Sequence, residues 1–360
     1  MQKIQFIDKD KSRTVFFSTL RHRVEQYFKE NNISKHFNSK MVLKTVLLLA
    51  GYLLPYILII FFHFPQVINY ILWLFMGLCM AGIGMSVMHD ANHGAYSKSG
   101  RVNYWLGHTL NLLGGSVFNW KMQHNVMHHT YTNVIDMDDD IEDKLILRFS
   151  PHTRVRWFHK FQFIYAFLFY GILTLYWASM KDFVQFRKYI RTGVNKEDVS
   201  KNRVFFLKIF IFKFIYFFVF IGAPLFVLHL SAWGHISGFL LMHFVAGIIL
   251  TVIFQLAHTV ESTKHPLPNA EGTIENNWAI HQLNTTVNFS RKNKFMTWYL
   301  GGLNFQVEHH LFPNICHVHY PVIAPIVKQT AEEFGIPYLE NENFLQAINS
   351  HVKMLKAYGR

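Results

Sequence analysis

The chain predicts an all-α integral membrane protein, with four transmembrane helices in two hairpins, interfacial helices beside them, and a cytosolic helical cap. Three observations lead there. The 360 residues are 51% hydrophobic and 17% aromatic, with 36 phenylalanines. That is rich for a soluble protein yet modest for a bundle of spans alone. Four apolar runs reach the roughly 20 residues that a helix needs to cross a bilayer. Seven of the 22 histidines fall in three short clusters, two after the second run and one after the fourth. Neutral imidazole is the commonest protein ligand for a transition metal, so the cap is expected to hold a di-metal site.

Residues 1–40 are polar and charged, so the first apolar run begins too late and runs too long for a cleaved signal peptide. The spans are expected at about 41–62, 67–88, 205–228 and 235–257. The first holds only Lys44 as a charge and tolerates Pro55; the second is free of charge. The third carries Lys208 and Lys213 near one end, where long side chains can snorkel to the interface. The fourth has no Asp, Glu, Lys or Arg. Backbone groups in hydrocarbon must be satisfied internally, so these runs are helices.

The connecting segments set the orientation. Neither His63-Phe-Pro-Gln66 nor the six residues 229–234 contain Lys or Arg. The N-terminal arm carries Lys9, Lys11, Arg13, Arg21 and Arg23, and residues 181–203 are likewise basic. By the positive-inside rule residues 1–40, 89–204 and 258–360 are cytosolic, and with them both termini. All three histidine clusters then lie on one side. The stretches 102–120 and 157–177 are shorter or interrupted; a lone crossing by either would separate the clusters, so both read as interfacial or re-entrant helices. Residues 320–360 read as amphipathic cytosolic helix. No internal repeat or low-complexity linker divides residues 1–360, which form one domain.

Cys79 and Cys316 make no disulfide framework and no thiolate metal site, and fit a reducing compartment. The net charge of +13 is spread around apolar spans. It suits an anionic membrane face or anionic partners and not nucleic acid.

The clusters read His89-Asp-Ala-Asn-His93, His124-Asn-Val-Met-His128-His129 and Gln306-Val-Glu-His309-His310. On a helix, His89 and His93 share a face one turn apart, as a pair gripping one ion does, and His124 and His128 repeat the spacing. His129 diverges from His128, which suits bridging toward a second ion. His309 and His310 diverge too. A lone pair of this spacing is more often a surface coincidence, but three groups on one side of a membrane are not. Structural zinc takes four ligands and usually some cysteine. Nitrogen-rich ligation without thiolate at two ions suits iron that activates oxygen.

His258, at the exit of the fourth span, is a candidate eighth ligand. His281 stands evenly between supporting the ligands and being incidental. Gln306 and His317 are further candidates for a metal or its surroundings, with His319 beside them. Asp138 or Asp140, within the acidic run 136–142, could orient imidazoles through their second N–H. Asn92, Asn125 and Asn304 could do similar work. His63, His229, His235 and His243 read as structural.

The strings HDANH, HNVMHH followed by TYTN, and NFQVEHHLFP resemble the three histidine boxes of membrane fatty acid desaturases. The resemblance runs in order over about residues 41–321. It implies a non-haem di-iron centre at the cytosolic face, held by His89, His93, His124, His128, His129, His309 and His310. His258 resembles a histidine at the end of that family's fourth span, and Gln306 a weaker or indirect ligand. With O2 and two electrons such a centre removes two hydrogens from adjacent carbons of an acyl chain, leaving a cis double bond. Gln306, where many members have histidine, is similar to the front-end subgroup and to bacterial acyl-lipid and linoleoyl-CoA enzymes. No His-Pro-Gly-Gly haem motif is present, so the resemblance implies a separate electron-transfer protein, a ferredoxin or a cytochrome b5-like carrier. A bacterial inner membrane fits.

An unactivated methylene has no acidic proton, so the hard chemistry must come from metal and oxygen. The protein's task is to place one carbon pair. An apolar tunnel lined by Trp120, Trp278, Phe305 or Phe312 would do so, with the basic face holding the anionic head of an acyl-CoA or phospholipid. The nearest rival is a di-iron lipid hydroxylase on the same scaffold. A membrane zinc hydrolase, receptor or metal transporter fits less well, because the middles of the spans hold few polar ligands.

Overall fold

The structure, a computed structural model, describes residues 4–10, 13–139, 141, 146–228 and 230–360. Helices dominate. An N-terminal helix, α1 (Phe16–Glu30), precedes two long apolar helices, α2 (Ser39–Phe61) and α3 (Gln66–Asn92). A short helix α4 (Gly100–Gly107) and a 3-10 turn (His108–Leu113) lead into α5 (residues 117–131). Three more long apolar helices follow: α6 (Trp157–Thr192), α7 (Val199–Val227) and α8 (Ala232–His258). The cap is completed by α9 (Trp278–Thr285), α10 (Lys294–Tyr299), α11 (Gln306–Leu311), α12 (Tyr320–Glu333) and α13 (Phe344–Tyr358). Two parallel pairs of two-residue strands, Gln5–Phe6 with Thr273–Ile274 and Asn288–Phe289 with Glu340–Asn341, stitch the N-terminal arm and the last segment to the cap.

Sequence explains the long helices. Asn38 caps α2 by accepting from the Met41 N–H, and one stripe of α2 is buried: Met41, Lys44, Thr45, Leu48, Tyr52, Pro55 and Ile59. Leu43, Val46, Leu47 and Leu54 on its other faces are exposed. A helix apolar on every side is at rest only among lipid.

Small residues set the helix spacing, as in membrane interfaces generally. A Cβ on Gly77 would lie 2.7 Å from the Met242 carbonyl oxygen, and one on Gly247 2.6 Å from that of Gly171. These contacts also give direction. Gln66 meets Gly234, Trp73 meets Gly238, Gly77 meets Met242 and Gly84 meets Leu250, so α3 and α8 run parallel. Both therefore end on the same side, with His89 and His258 in or near their last turns. Leu48 against Gly82 and Gly51 against Cys79 make α2 antiparallel to α3. Tyr216 with His243, and His235 with the Phe220 carbonyl, make α7 antiparallel to α8. His235 and His243 are buried and hydrogen-bonded between these helices; His63 is exposed, and His229 lies outside the described residues.

The structure departs from the sequence reading in α6. The expected interrupted segment at 157–177 is one continuous helix to Thr192, joined through a π-helical turn at Trp177–Lys181. Among the described residues five helices, not four, are long and apolar enough to cross a membrane. The reason is that polar residues 181–192 continue the helix by packing on other elements. Gln162, near its start, donates to the Leu355 carbonyl of α13 (2.8 Å). Near its end Gln185 donates to Gln123 of α5 (2.7 Å) and Lys188 pairs with Asp139 (2.6 Å). Both ends thus join elements that carry or adjoin the histidine clusters, while the middle packs on α8 through Gly171 and Thr174.

Lys213 does not snorkel as expected. It is buried, paired with Asp182 of α6 (2.7 Å), and donates to the carbonyls of Gly114, Trp177 and Ala178. Those carbonyls belong to the π-helical turn and to the left-handed turn at Gly114 (φ +82°), where the backbone leaves acceptors free. Asp182 in turn accepts from the Ser116 N–H (3.0 Å) and fixes the start of α5. The stretch 102–120 does break into short pieces, and α4 exposes Tyr104 and Trp105 as an interfacial helix would.

Candidate metal centre

The site is built where the ends of α3 and α8 meet α5 and α11. His89 closes α3, His93 follows it, His124, His128 and His129 lie on α5, His258 ends α8, and His309 and His310 lie on α11. All but the half-buried His93 are buried.

Their nitrogens converge as two groups with a bridge. His89, His93, His124 and His309 form one group; His128, His258 and His310 form another; His129, His309 and His310 join them. Within each group the ligand atoms lie within 4.8 Å of one another. Nε2 of His89 is 3.2 Å from Nε2 of His124, which is 3.3 Å from Nε2 of His129. Neutral rings presenting lone pairs to one another at these distances repel unless a cation lies between them.

The division is not the one the spacing suggests. His124 and His128 were expected to grip one ion from one helical face. Residues Lys121–His128 are π-helical, a winding with i→i+5 hydrogen bonds. The wider turn brings His129, five residues on, to His124, and leaves His128 to pair with His258 and His310 (ring centroids 4.7 and 4.9 Å).

The second nitrogens are tied down. Nδ1 of His128 donates to Asp138 (3.0 Å), of His310 to the Gln282 side-chain oxygen (2.8 Å), and of His258 to the Thr285 carbonyl (3.3 Å). Nδ1 of His309 meets the Tyr320 hydroxyl (3.2 Å). Such partners fix the tautomer and turn Nε2 toward the centre as a lone pair. Nε2 of His93, His258, His309 and His310 has no protein partner although buried. Orphaned buried acceptors are costly and call for an explanation. A cation held at the convergence supplies one, and the nitrogen-only donor set fits iron. Burial, then the crowding of neighbouring imidazoles, holds His93, His124, His129, His309 and His310 well below the usual histidine pKa. They are neutral and able to ligate at physiological pH.

Other candidates divide. Asp138 accepts from Nδ1 of His128, and the turn after α5 is braced by Asn133, which donates to the His258 carbonyl (2.8 Å). Asp140 lies outside the described residues, while Asp139 faces Lys188 and Tyr189. Gln306 stands one turn before His309 and His310 on α11, its side-chain oxygen buried without a partner. His281, next to Gln282 on α9, faces away into a cleft of about 330 Å³ with Lys264, Thr273 and Asn284. Burial lowers its pKa to about 4. His317 joins Asp90 (2.8 Å) and Lys44 (3.2 Å) outside the imidazole cage, and His319 bonds the His36 carbonyl. Asn304 bonds Thr297, Asn92 the Gly107 carbonyl, and Asn125 the Asn92 carbonyl; none meets an imidazole.

Of the expected tunnel residues, Trp120 stacks on His124 (centroids 4.5 Å) and also faces His89 and His93. Trp278 donates to the His129 carbonyl (3.1 Å) and packs on Phe17. Phe305 and Phe312 are buried in the apolar core that α1 shares with α12.

Besides Thr285, three contributors escaped the sequence. Gln282 and Tyr320 reach the ligands from elements distant in sequence, and Phe254 packs on both His128 and His258 (5.0 and 4.7 Å). Phe254 lies one turn before His258, the one signal that could have found it. Glu308, between Val307 and His309, points outward to Asn288 (2.8 Å) and Tyr338 (2.7 Å), and its burial raises it to about 7.

Comparison with known proteins agrees with this geometry. The fatty acid desaturase family model matches residues 65–341. The acyl-lipid (8-3)-desaturase of Physcomitrium patens is 36% identical over 348 residues, covering 96% of this chain and 72% of its own length. The sn-1 linoleoyl-lipid 6-desaturase of Arthrospira platensis is 36% identical over 341 residues (95% and 92%). Its namesake from Synechocystis sp. is 33% identical over 363 residues (100% and 98%).

Proposed function

This chain belongs to the fatty acid desaturase family, and on that premise we propose that it inserts a cis double bond into an acyl chain of a membrane lipid at a di-iron centre. It is an oxidoreductase of lipid metabolism, and its apolar helices suit an integral membrane protein. The observation that carries the finer reading is the pair of imidazole groups, one containing His309 and the other His310, with His129 grouped with both of these as the bridge, eight imidazoles in all. Two iron ions there, with O2 and two electrons from a separate carrier, supply the oxidising power that an unactivated C–H bond demands.

The chain's own residues do the rest. Asp138, Gln282, Thr285 and Tyr320 aim the imidazoles. Trp120 and Phe254 present aromatic faces beside the two groups, apolar surfaces suited to an acyl chain that must be held dry and bent. Gln306 is the variant position of the third box. With relatives named for linoleoyl-lipid and acyl-lipid substrates, it supports a front-end position for the new bond and a lipid-linked substrate in preference to acyl-CoA. Four spans, α2, α3, α7 and α8, with α6 returning to the side it leaves, keep both ends of α6 by the cap. The basic N-terminal arm favours the cytosol for that side.

The test is expression in a host lacking polyunsaturated lipids, fed defined fatty acids, with lipids analysed by mass spectrometry. A product lighter by a hydrogen pair, absent in His124→Ala and His309→Ala although both remain in the membrane, is expected. A product heavier by one oxygen would mean hydroxylation, and activity retained in either variant would refute the ligand assignment.

A further inference from the structure

The segment Arg291–Tyr299, which includes α10, plays no part in holding the imidazoles, yet it is built to a specific plan. Its inner face is bound to the long helices. Met296 and Tyr299 pack against their apolar core, and the Tyr299 hydroxyl donates to the carbonyl of Leu78, midway along α3 (2.9 Å). The Lys44 ammonium of α2 lies 5.6 Å from the Trp298 ring centroid. The outer face is the reverse: Phe295 is 71% exposed, Trp298 40%, and the two rings stack at 6.3 Å.

Beside these rings stand Lys292 and Lys294, both exposed and without a carboxylate partner among the described residues. Arg291, by contrast, is locked to Glu340. Two uncompensated ammonium groups thus border an exposed aromatic pair, and Trp298 of that pair adjoins Lys44 of α2, whose chain neighbours Leu43 and Leu47 are also exposed.

We propose that this segment is a membrane wedge: Phe295 and Trp298 enter the bilayer interface, and Lys292 and Lys294 hold the phosphate headgroup of an anionic lipid. Aromatic rings settle at headgroup depth, and lysines above them meet the surface charge of anionic lipid. Adjacency to the lipid-facing side of α2 and α3 selects a bilayer lipid over a protein as the occupant. The wedge is tied to the metal centre through Trp298, Lys44, His317 and Asp90, the neighbour of His89. A headgroup held there is therefore placed in a fixed relation to that centre.

A fluorophore on the variant F295C reads the contact directly, because both native cysteines are buried. The full chain is reconstituted in nanodiscs of phosphatidylcholine with 30 mol % phosphatidylglycerol, the quenching nitroxide being carried on one lipid or the other at equal mole fraction. Each lysine near an anionic surface is worth roughly fivefold in local lipid preference. Quenching by the glycerol lipid is expected to exceed that by the choline lipid severalfold, and K292E/K294E to abolish the difference while leaving the label quenched. Equal quenching by the two lipids in the parent would overturn the headgroup site. Water-like emission without quenching, or emission that tracks protein copies per disc, would overturn the wedge itself and point to a protein-facing surface.

Discussion

At the scale of single residues, the site works by making histidine a poor base and a good ligand. Burial depresses His93, His124, His129, His309 and His310 well below the usual 6.5, and their mutual repulsion adds to it. An unfolded chain takes up protons at these positions near 6.5, whereas the folded cage refuses them. The unfolded state then binds more protons, so stability rises with pH in that window. The contribution is full above 6.5 and is lost as pH falls toward the depressed values. Metal-free protein in detergent is expected to lose melting temperature steadily as pH drops below 6.5, and a flat profile would contradict the burial. The converging histidines were legible as clusters in the sequence because imidazole clustering is rare. Gln282 and Tyr320 were not, since a partner for Nδ1 is chosen by the fold and leaves no local pattern. His281 shows the converse: one residue from Gln282 on a helix is enough to face it into a different cleft.

At the scale of elements, two departures from ideal winding place the chemistry. The π-helical stretch of α5 regroups His124 with His129, which a count of residues on an α-helix cannot foresee. The π-helical turn of α6 frees carbonyls for Lys213 and so secures the start of α5. The interface between α6 and α8 is the tightest test of this packing. A methyl group on Gly247 would lie 2.6 and 2.7 Å from two carbonyl oxygens of α6, whereas one on Gly100 meets nothing within 4 Å. Overpacking of this kind costs about 1–3 kcal/mol. Gly247→Ala is expected to lower the melting temperature in detergent by several degrees, and Gly100→Ala to leave it nearly unchanged. Equal effects would mean that the helices do not approach as closely as described.

At the scale of the whole molecule, the parallel course of α3 and α8 is what brings His89 and His258 to one side. The apolar runs made those long helices readable in advance, and the short loops made the antiparallel pairing of each with its predecessor readable. The full length of α6 was not, because its last turns are polar and are held by contacts with residues distant in sequence, among them Lys213, Gln123 and Asp139. Its two ends are expected on the same side of the membrane. Arg154→Cys and Arg191→Cys, both at exposed positions, should react with an impermeant maleimide from the same side as Lys29→Cys on α1. Labelling from opposite sides would make α6 a fifth crossing.

All of these scales meet in one claim, that eight imidazoles enclose two ions. Metal analysis of the purified full chain by inductively coupled plasma mass spectrometry tests it most directly. Two irons per chain, falling together in His124→Ala or His310→Ala, is the expected result. A single zinc per chain, or iron content indifferent to both substitutions, would contradict it.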